Sequence, residues 1–294
     1  MGWVVFFYFS SILYCVLLIV LIVGWFHNTT GEIARKYDSD ISPSPQTFAI
    51  WGLIYAFQLA WIIYSLTLLC RKSKDGYLYY TPYFMPLSFY LLYCVSNACN
   101  TSWLFLWDRE YIYASSAILI ASTVVLMASL IVQVVSLANT AQELIQQGKS
   151  RELFWVRLLV HNGIGMYVTW TVVASLVGLS IMLIYREPFL TQEAASAISA
   201  SLLSVAVLAY TILDVFIIDK NTRYLFTPYL VLLWALKGIM DKGFFPERTY
   251  SIIVAVLLGY SVLAFLVKLI LVIVRSCKNP EPLNSHPDHE LLKE

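Results

Sequence analysis

The chain is predicted to fold as an all-α bundle of about eight transmembrane helices, on three observations. Of its 294 residues, 60% are hydrophobic and only 13% charged, where a soluble globular domain carries about 25% charged residues. The mean hydropathy is +0.73. The apolar residues are gathered into eight runs separated by short polar loops. In hydrocarbon every backbone N–H and C=O needs an internal partner, and an α-helix supplies one within a single segment.

The first run, Trp3 to Phe26, has Trp near both ends, no basic start and no small-residue cleavage site, so it reads as a retained span rather than a removed signal peptide. A polar loop from Asn28 to Pro45 follows, and Asn28-Thr29-Thr30 within it is an N-glycosylation triplet close to the membrane. The second span is Phe48 to Leu69, the third about Tyr83 to Leu106, and the fourth Tyr111 to Val135, with a polar linker from Asn139 to Glu152 after it. The fifth is drawn from Leu153 to Tyr185, longer than the roughly 20 residues a bilayer needs. Its start therefore lies outside the hydrocarbon, which lets Arg157 and His161 stand at the interface. Three more spans follow: about Ala194 to Ile218, Tyr224 to Met240 and Tyr250 to Val274. Asp214 and Lys268 lie within about two turns of a span end, where long side chains reach water by snorkelling. The expected division is a five-helix core over residues 1–185, three further helices over 186–276 and a disordered polar tail over 277–294.

Three spans carry polar-tipped rings and amides on single helix faces. In SPSPQTFAIWGLIYAFQLAWIIY, Trp51, Tyr55 and Gln58 recur at i, i+4, i+7, a face that looks inward unless it is an interfacial aromatic belt. In NACNTSWLFLW, Asn97 and Asn100 lead into Trp103 and Trp107. An amide in hydrocarbon needs a partner, so the two asparagines either join neighbouring helices or meet a polar group on a ligand. In the fifth span Tyr167 and Trp170 alternate with Gly163, Ala174 and Gly178, small residues that admit a neighbouring helix while the rings fill or line a cavity. His161 would be a solitary metal or haem ligand and reads as structural. The five cysteines, Cys15, Cys70, Cys94, Cys99 and Cys277, form no CxxC pair and read as small core residues.

Together these stretches resemble the TspO/MBR family of tryptophan-rich sensory proteins, which includes the mitochondrial translocator protein. FAIWGLIY, Phe48 to Tyr55, looks like the family's opening of the second helix; Asn100-Thr101-Ser102-Trp103 matches N-x-x-W in the third; Tyr167 to Trp170 with Ala174 matches Y-x-x-W-x-x-x-A in the fifth. Trp234-Ala235-Leu236 with Gly238 and Ile239 is similar to a W-A-L-x-G-I stretch of longer members. Met166 and Gly178 depart from the family's proline and asparagine, and Leu183, Tyr185 and Arg186 miss the sterol-recognition spacing. The resemblance implies an aromatic ligand site made of Trp51, Tyr55, Asn97, Asn100, Trp103, Trp107, Tyr167 and Trp170. Its ligand would be a flat hydrophobic molecule, a bound porphyrin or haem first and a sterol second, with no cofactor required.

Several classes are excluded or left as alternatives. A net charge of +1 and the lack of a basic stripe exclude nucleic acid as a partner. No Gly-rich phosphate loop, HExxH or GxSxG motif points to an enzyme. The alternatives to a ligand-binding or transporting role are a multi-span receptor, a secondary carrier, or a membrane assembly partner without ligand, and a homodimer is a further expectation. With eight spans, the loops on the N-terminal side hold ten Lys and Arg, including Arg71, Lys72 and Lys149, and the opposite loops hold six, including Arg35, Lys36 and Lys242. The positive-inside rule then places both termini in the cytoplasm, in an endomembrane or the plasma membrane. There Asp288-His289-Glu290-Leu291-Leu292 fits the D-x-x-L-L pattern read by clathrin adaptors, through Asp288, Leu291 and Leu292.

Overall fold

The computed structural model describes residues 28–73, 76–185 and 190–278. The first span, Trp3 to Phe26, and the Asp288, Leu291, Leu292 pattern lie outside the described residues. Short helix α1 (Thr30–Lys36) starts at a capping box, in which the Thr29 side chain accepts from the Glu32 N–H and the Glu32 carboxylate accepts from the Thr29 N–H. A 3-10 turn over Pro45–Ala49, proline first, leads into α2 (Ile50–Cys70). A two-residue antiparallel ladder, β1 (Lys72–Ser73) with β2 (Gly76–Tyr77), turns the chain toward α3 (Leu87–Asp108).

α4 (Ile112–Gln146) runs for 35 residues, about 50 Å at the α-helical rise. It continues well past the predicted end at Val135 and absorbs most of the predicted linker. The reason is an apolar stripe, Leu137, Ala141 and Leu144, that joins the same core as Leu153 and Val156 at the start of the fifth span. That span is α5 (Ser150–Trp155), a π turn over Val156–His161, and α6 (Asn162–Tyr185). α7 (Gln192–Ile212), whose Thr191 cap accepts from the Ala194 N–H, passes into a second π turn, Leu213–Ile217. Then come α8 (Asp219–Thr222), α9 (Thr227–Met240) and α10 (Thr249–Lys278).

Among the described residues five helices are long and apolar enough to cross a membrane: Pro45–Cys70, Ile112–Gln146, Ser150–Tyr185, Gln192–Ile217 and Thr249–Cys277. The polar NACNTS stretch dilutes α3, and α9 is short at 14 residues. The fold is an all-α membrane bundle. α6 is its central post, packing on α2, α4, α7 and α9, while α10 lies on α7 and α9. One continuous core runs from Ile54 and Trp61 on α2 through Tyr167 on α6 to Leu203 on α7, Leu236 on α9 and Leu257 on α10, joining the helices on both sides of residue 185.

Small hydroxyls bring the helices together. Ser96 on α3 and Ser122 on α4 each donate to the other's backbone carbonyl at 3.0 Å. Ser116 on α4 donates to the Gly178 carbonyl on α6 at 3.2 Å, and a Cβ on Gly178 would stand 3.2 Å from that same hydroxyl. Such close approach replaces the hydrophobic driving force that is missing between helices in lipid.

From α2 to α10 the described loops alternate between two ends of the bundle, grouped as in the eight-span reading. At one end Lys36 pairs with Glu110, Lys242 with Asp38 at 2.7 Å and Arg248 with Glu193 at 3.7 Å. At the other end Arg71 pairs with Glu152, Arg275 with Asp219 at 2.6 Å, and the Arg157 guanidinium lies 5.0 Å from the Tyr224 ring centre.

Candidate functional site

The helix face that carries Trp51 and Tyr55 meets the face that carries Tyr167 and Trp170. Trp51 stacks on Tyr55 with centroids 5.4 Å apart, and its edge meets Tyr167 at 5.9 Å and Trp170 at 6.3 Å. Phe48 completes the group, edge to face with Trp170 at 5.7 Å. These are the offset and T-shaped arrangements that the ring quadrupole favours. Tyr167 and Trp170 are buried, whereas Phe48 and Tyr55 are exposed to 38% and 39%. The cluster is therefore anchored on α6 and open along α2.

What holds α2 in this register is the lead-in that precedes it. The Ser44 N–H donates to the Gly238 carbonyl at 2.8 Å, and the Trp234 indole donates to the Thr47 carbonyl at 2.8 Å. A Cβ on Gly238 would stand 2.1 Å from the Thr47 hydroxyl oxygen, so only glycine lets the 3-10 turn lie this close to α9. The W-A-L-x-G-I stretch is thus the seat of the segment that opens into Trp51. No spacing rule in the sequence relates positions 47 and 238; only the fold shows that they meet.

Gln58, third on the predicted α2 face, is a helix-to-helix link. Its Nε2 donates to the Gly163 carbonyl on α6 at 2.9 Å, and its Oε1 accepts from the Trp61 indole at 2.8 Å. Gly163 admits this contact, since a Cβ there would stand 3.3 Å from Phe57.

The third predicted face divides. Trp103 and Trp107 stack at 6.2 Å, but in a second, smaller core with Ile33, Ile112 and Ile181, and the Trp107 indole donates to the Thr30 carbonyl at 3.3 Å. They pin α1 to the bundle apart from the Trp51 cluster. Asn97 and Asn100 are buried on α3, and the Asn100 Oδ1 is buried with no hydrogen-bond partner among the described residues. An acceptor in that state costs about 1–3 kcal/mol until a donor reaches it. Asn28, the glycosylation candidate, lies beside the end of α3, its backbone N–H donating to Asp108 at 2.9 Å.

Two readings of charged residues are corrected. His161 does not face out of the bundle toward interfacial water: the π turn carries it inside, 2% exposed, with its Nε2 lacking a partner among the described residues. Asp214 and Lys268 do not snorkel. Both are fully buried, and the Lys268 ammonium donates to Asp214 at 2.9 Å and to the Thr222 carbonyl at 3.2 Å. The Tyr229 hydroxyl donates to the other Asp214 oxygen at 2.7 Å. The π turn after α7 and the fold-back through α8 close over the pair, a tertiary effect that distance from a span end does not reveal.

Asn162 is a hub that the sequence reading passed over. Its Nδ2 donates to the carbonyls of Arg157 and Tyr224, both at 2.8 Å, and its Oδ1 accepts from the N–H groups of Phe226 and Thr227. One amide thus spans the π turn and caps the start of α9. Among the described residues no group of three His, Cys, Asp or Glu side chains gathers as a metal site would.

A family model described as TSPO-like protein matches residues 2–270, so the match runs on through α7 and α9 and into α10. No curated protein matches the chain, and no solved structure does.

Proposed function

This chain belongs to the TSPO-like family, and from that premise we propose that it binds, and thereby senses or moves, a flat apolar molecule within the bilayer, a tetrapyrrole first and a sterol second. The observation that carries the reading is the meeting of Trp51, Tyr55, Tyr167 and Trp170 from two helices in one cluster. A planar ligand offers broad faces to rings and polar edges to a few donors or acceptors, which is the composition of small-molecule sites. Tyr167 and Trp170 form the rigid floor, while Phe48 and Tyr55 are the partly exposed side against which a ligand would lie. On α3 the buried Asn100 oxygen, without a hydrogen-bond partner among the described residues, is the acceptor proposed for a pyrrole N–H or a hydroxyl. The role is binding rather than catalysis, since the cluster supplies neither a nucleophile nor an acid–base pair. The Asp288, Leu291, Leu292 pattern is retained as a proposed adaptor signal, tested by the location of the Leu291→Ala, Leu292→Ala variant.

Titrating protoporphyrin IX into the purified full chain tests the reading. Tryptophan fluorescence should be quenched saturably, and Trp51→Phe and Trp170→Phe should each weaken binding by about 1 kcal/mol, the scale of one aromatic contact. Asn100→Leu should weaken binding without lowering the melting temperature if the amide meets ligand, and should lower it with or without ligand if the amide joins helices. If protoporphyrin IX, haem and cholesterol at saturation all leave the melting temperature unchanged, the reading is wrong and a role as assembly partner takes its place.

A further inference from the structure

On the opposite side of α6 from the aromatic cluster, the bundle holds a cleft of about 330 Å³, within the range of small-molecule sites. Val168 and Val172 of α6 form its back wall, Val134 of α4 and Val207 of α7 its sides, and Pro228 of α9 and Ala264 of α10 its floor. α4 and α7 each pack along α6, and the cleft is the gap left between them. Its mouth is lateral: Met127 and Ile131 on α4, Ala206 on α7 and Leu213 at the start of the π turn after it line it, and all four are exposed on the outside of the bundle. In a membrane protein that side faces hydrocarbon, so an occupant enters from the bilayer.

The polar groups of the lining define what that occupant carries. Among the described residues no charged side chain lines the cleft, so an ionised ligand would be left unpaired there. Almost every hydroxyl on the wall is already donating. Thr169 donates to the Gly165 carbonyl, Thr211 to Val207, Thr222 to Ile218 and Ser261 to Leu257, and Tyr229 donates to Asp214. Tyr210 is the exception. Its ring is held against Tyr229 with centroids 5.6 Å apart, yet its hydroxyl is buried with no partner among the described residues. Among the described residues the Tyr210 hydroxyl is thus the one wall hydroxyl left uncommitted, in a lining whose other polar side chain besides the hydroxyls is the Asn221 amide.

We propose that the cleft is a second binding site, for an uncharged, bilayer-soluble molecule that is mainly apolar and presents one acceptor oxygen, of a ketone, ester or alcohol, to the Tyr210 hydroxyl. The site is independent of the aromatic cluster. It shares α6 as a wall but none of the residues Trp51, Tyr55, Tyr167 and Trp170.

Two photoreactive probes of equal length test it: hexadecan-1-ol and hexadecane, each carrying a mid-chain diazirine, applied to the full chain in phospholipid nanodiscs and mapped by mass spectrometry. The alcohol should label the peptide around Tyr210 saturably, be displaced by unlabelled hexadecan-1-ol, and half-saturate at about five-fold lower concentration than the hydrocarbon, the gain of one net hydrogen bond. Tyr210→Phe should abolish that preference while leaving the melting temperature unchanged or higher, because it removes an unsatisfied buried hydroxyl; a merely structural tyrosine would lower it. Ala206→Phe, at the exposed mouth, should reduce labelling by both probes. Equal labelling by alcohol and hydrocarbon, indifferent to Tyr210→Phe, would mean that the cleft holds bulk acyl chains only and would overturn the proposal. Trp51→Phe should leave alcohol labelling unchanged, so failure here is distinguishable from failure of the porphyrin reading.

Discussion

Gly238 shows how much of this bundle hangs on single positions. A side chain there would stand 2.1 Å from the Thr47 hydroxyl oxygen and 2.6 Å from its methyl carbon, and Thr47 is itself buried. Gly238→Ala is therefore expected to destabilise the protein by about 1–3 kcal/mol, as overpacking of a filled core does. It should also weaken ligand binding at Trp51, because the same turn positions α2. Thermal unfolding in detergent checks the first effect and porphyrin titration the second. A second residue-scale expectation concerns Glu110 in the α3–α4 turn. Hydrogen bonds from Lys36, and then from the Tyr37 hydroxyl, hold its carboxyl below the ordinary value of 4.5. A group lowered in the folded state adds stability that is present in full above about pH 4.5 and lost as pH falls through its lower folded value. Protection of the α1 amides against hydrogen exchange should accordingly fall on acidification below that point. In Glu110→Gln it should be lower at neutral pH and nearly flat across the same range.

At the scale of elements, the two π turns mark the places where the bundle departs from regular helix. One carries His161 inward and is bridged by Asn162; the other precedes the fold-back that seals Asp214 against Lys268. π turns recur at functional positions, and each here adjoins a buried polar group. The Asp214–Lys268 pair has 0% exposure on both sides, so its desolvation is offset only while both partners and the Tyr229 hydrogen bond are present. Lys268→Met alone should cost about 3–5 kcal/mol, and the double variant Asp214→Asn, Lys268→Met should recover most of the loss. Melting temperatures of the wild type, the two single variants Lys268→Met and Asp214→Asn, and the double variant decide this. Additive losses would show that the two charges do not depend on each other.

For the whole molecule, the alternation of described loops between two ends fits an eight-span path and carries an expectation for the termini. Tags at residues 1 and 294 should be reached from the same side of the membrane in a protease-protection assay, and from the cytosolic side by the excess of basic residues. Tags exposed on opposite faces would rule out that path. The same architecture explains why α6 is the element on which both binding readings depend: one face meets α2 at the aromatic cluster, and the other backs the cleft between α4 and α7.

The sequence by itself determined the all-α membrane class, the approximate spans, and which helix faces carry Trp51 and Trp170. Composition and apolar run length answer to the bilayer, and a period of 3.6 places residues on faces without reference to the rest of the chain. It also carried the family, through short motifs in the second, third and fifth spans. Only the tertiary structure decided which faces meet and what closes over them. Trp103 and Trp107 left the predicted site because α1 folds back onto them. α4 outran its predicted end because Leu137 and Leu144 found a core with the fifth span. His161, Asp214 and Lys268 were buried because π turns and a four-residue helix redirect the chain near span ends. The cleft beside Tyr210 could not be read in any single segment, since a cavity is the space between helices and belongs to none of them.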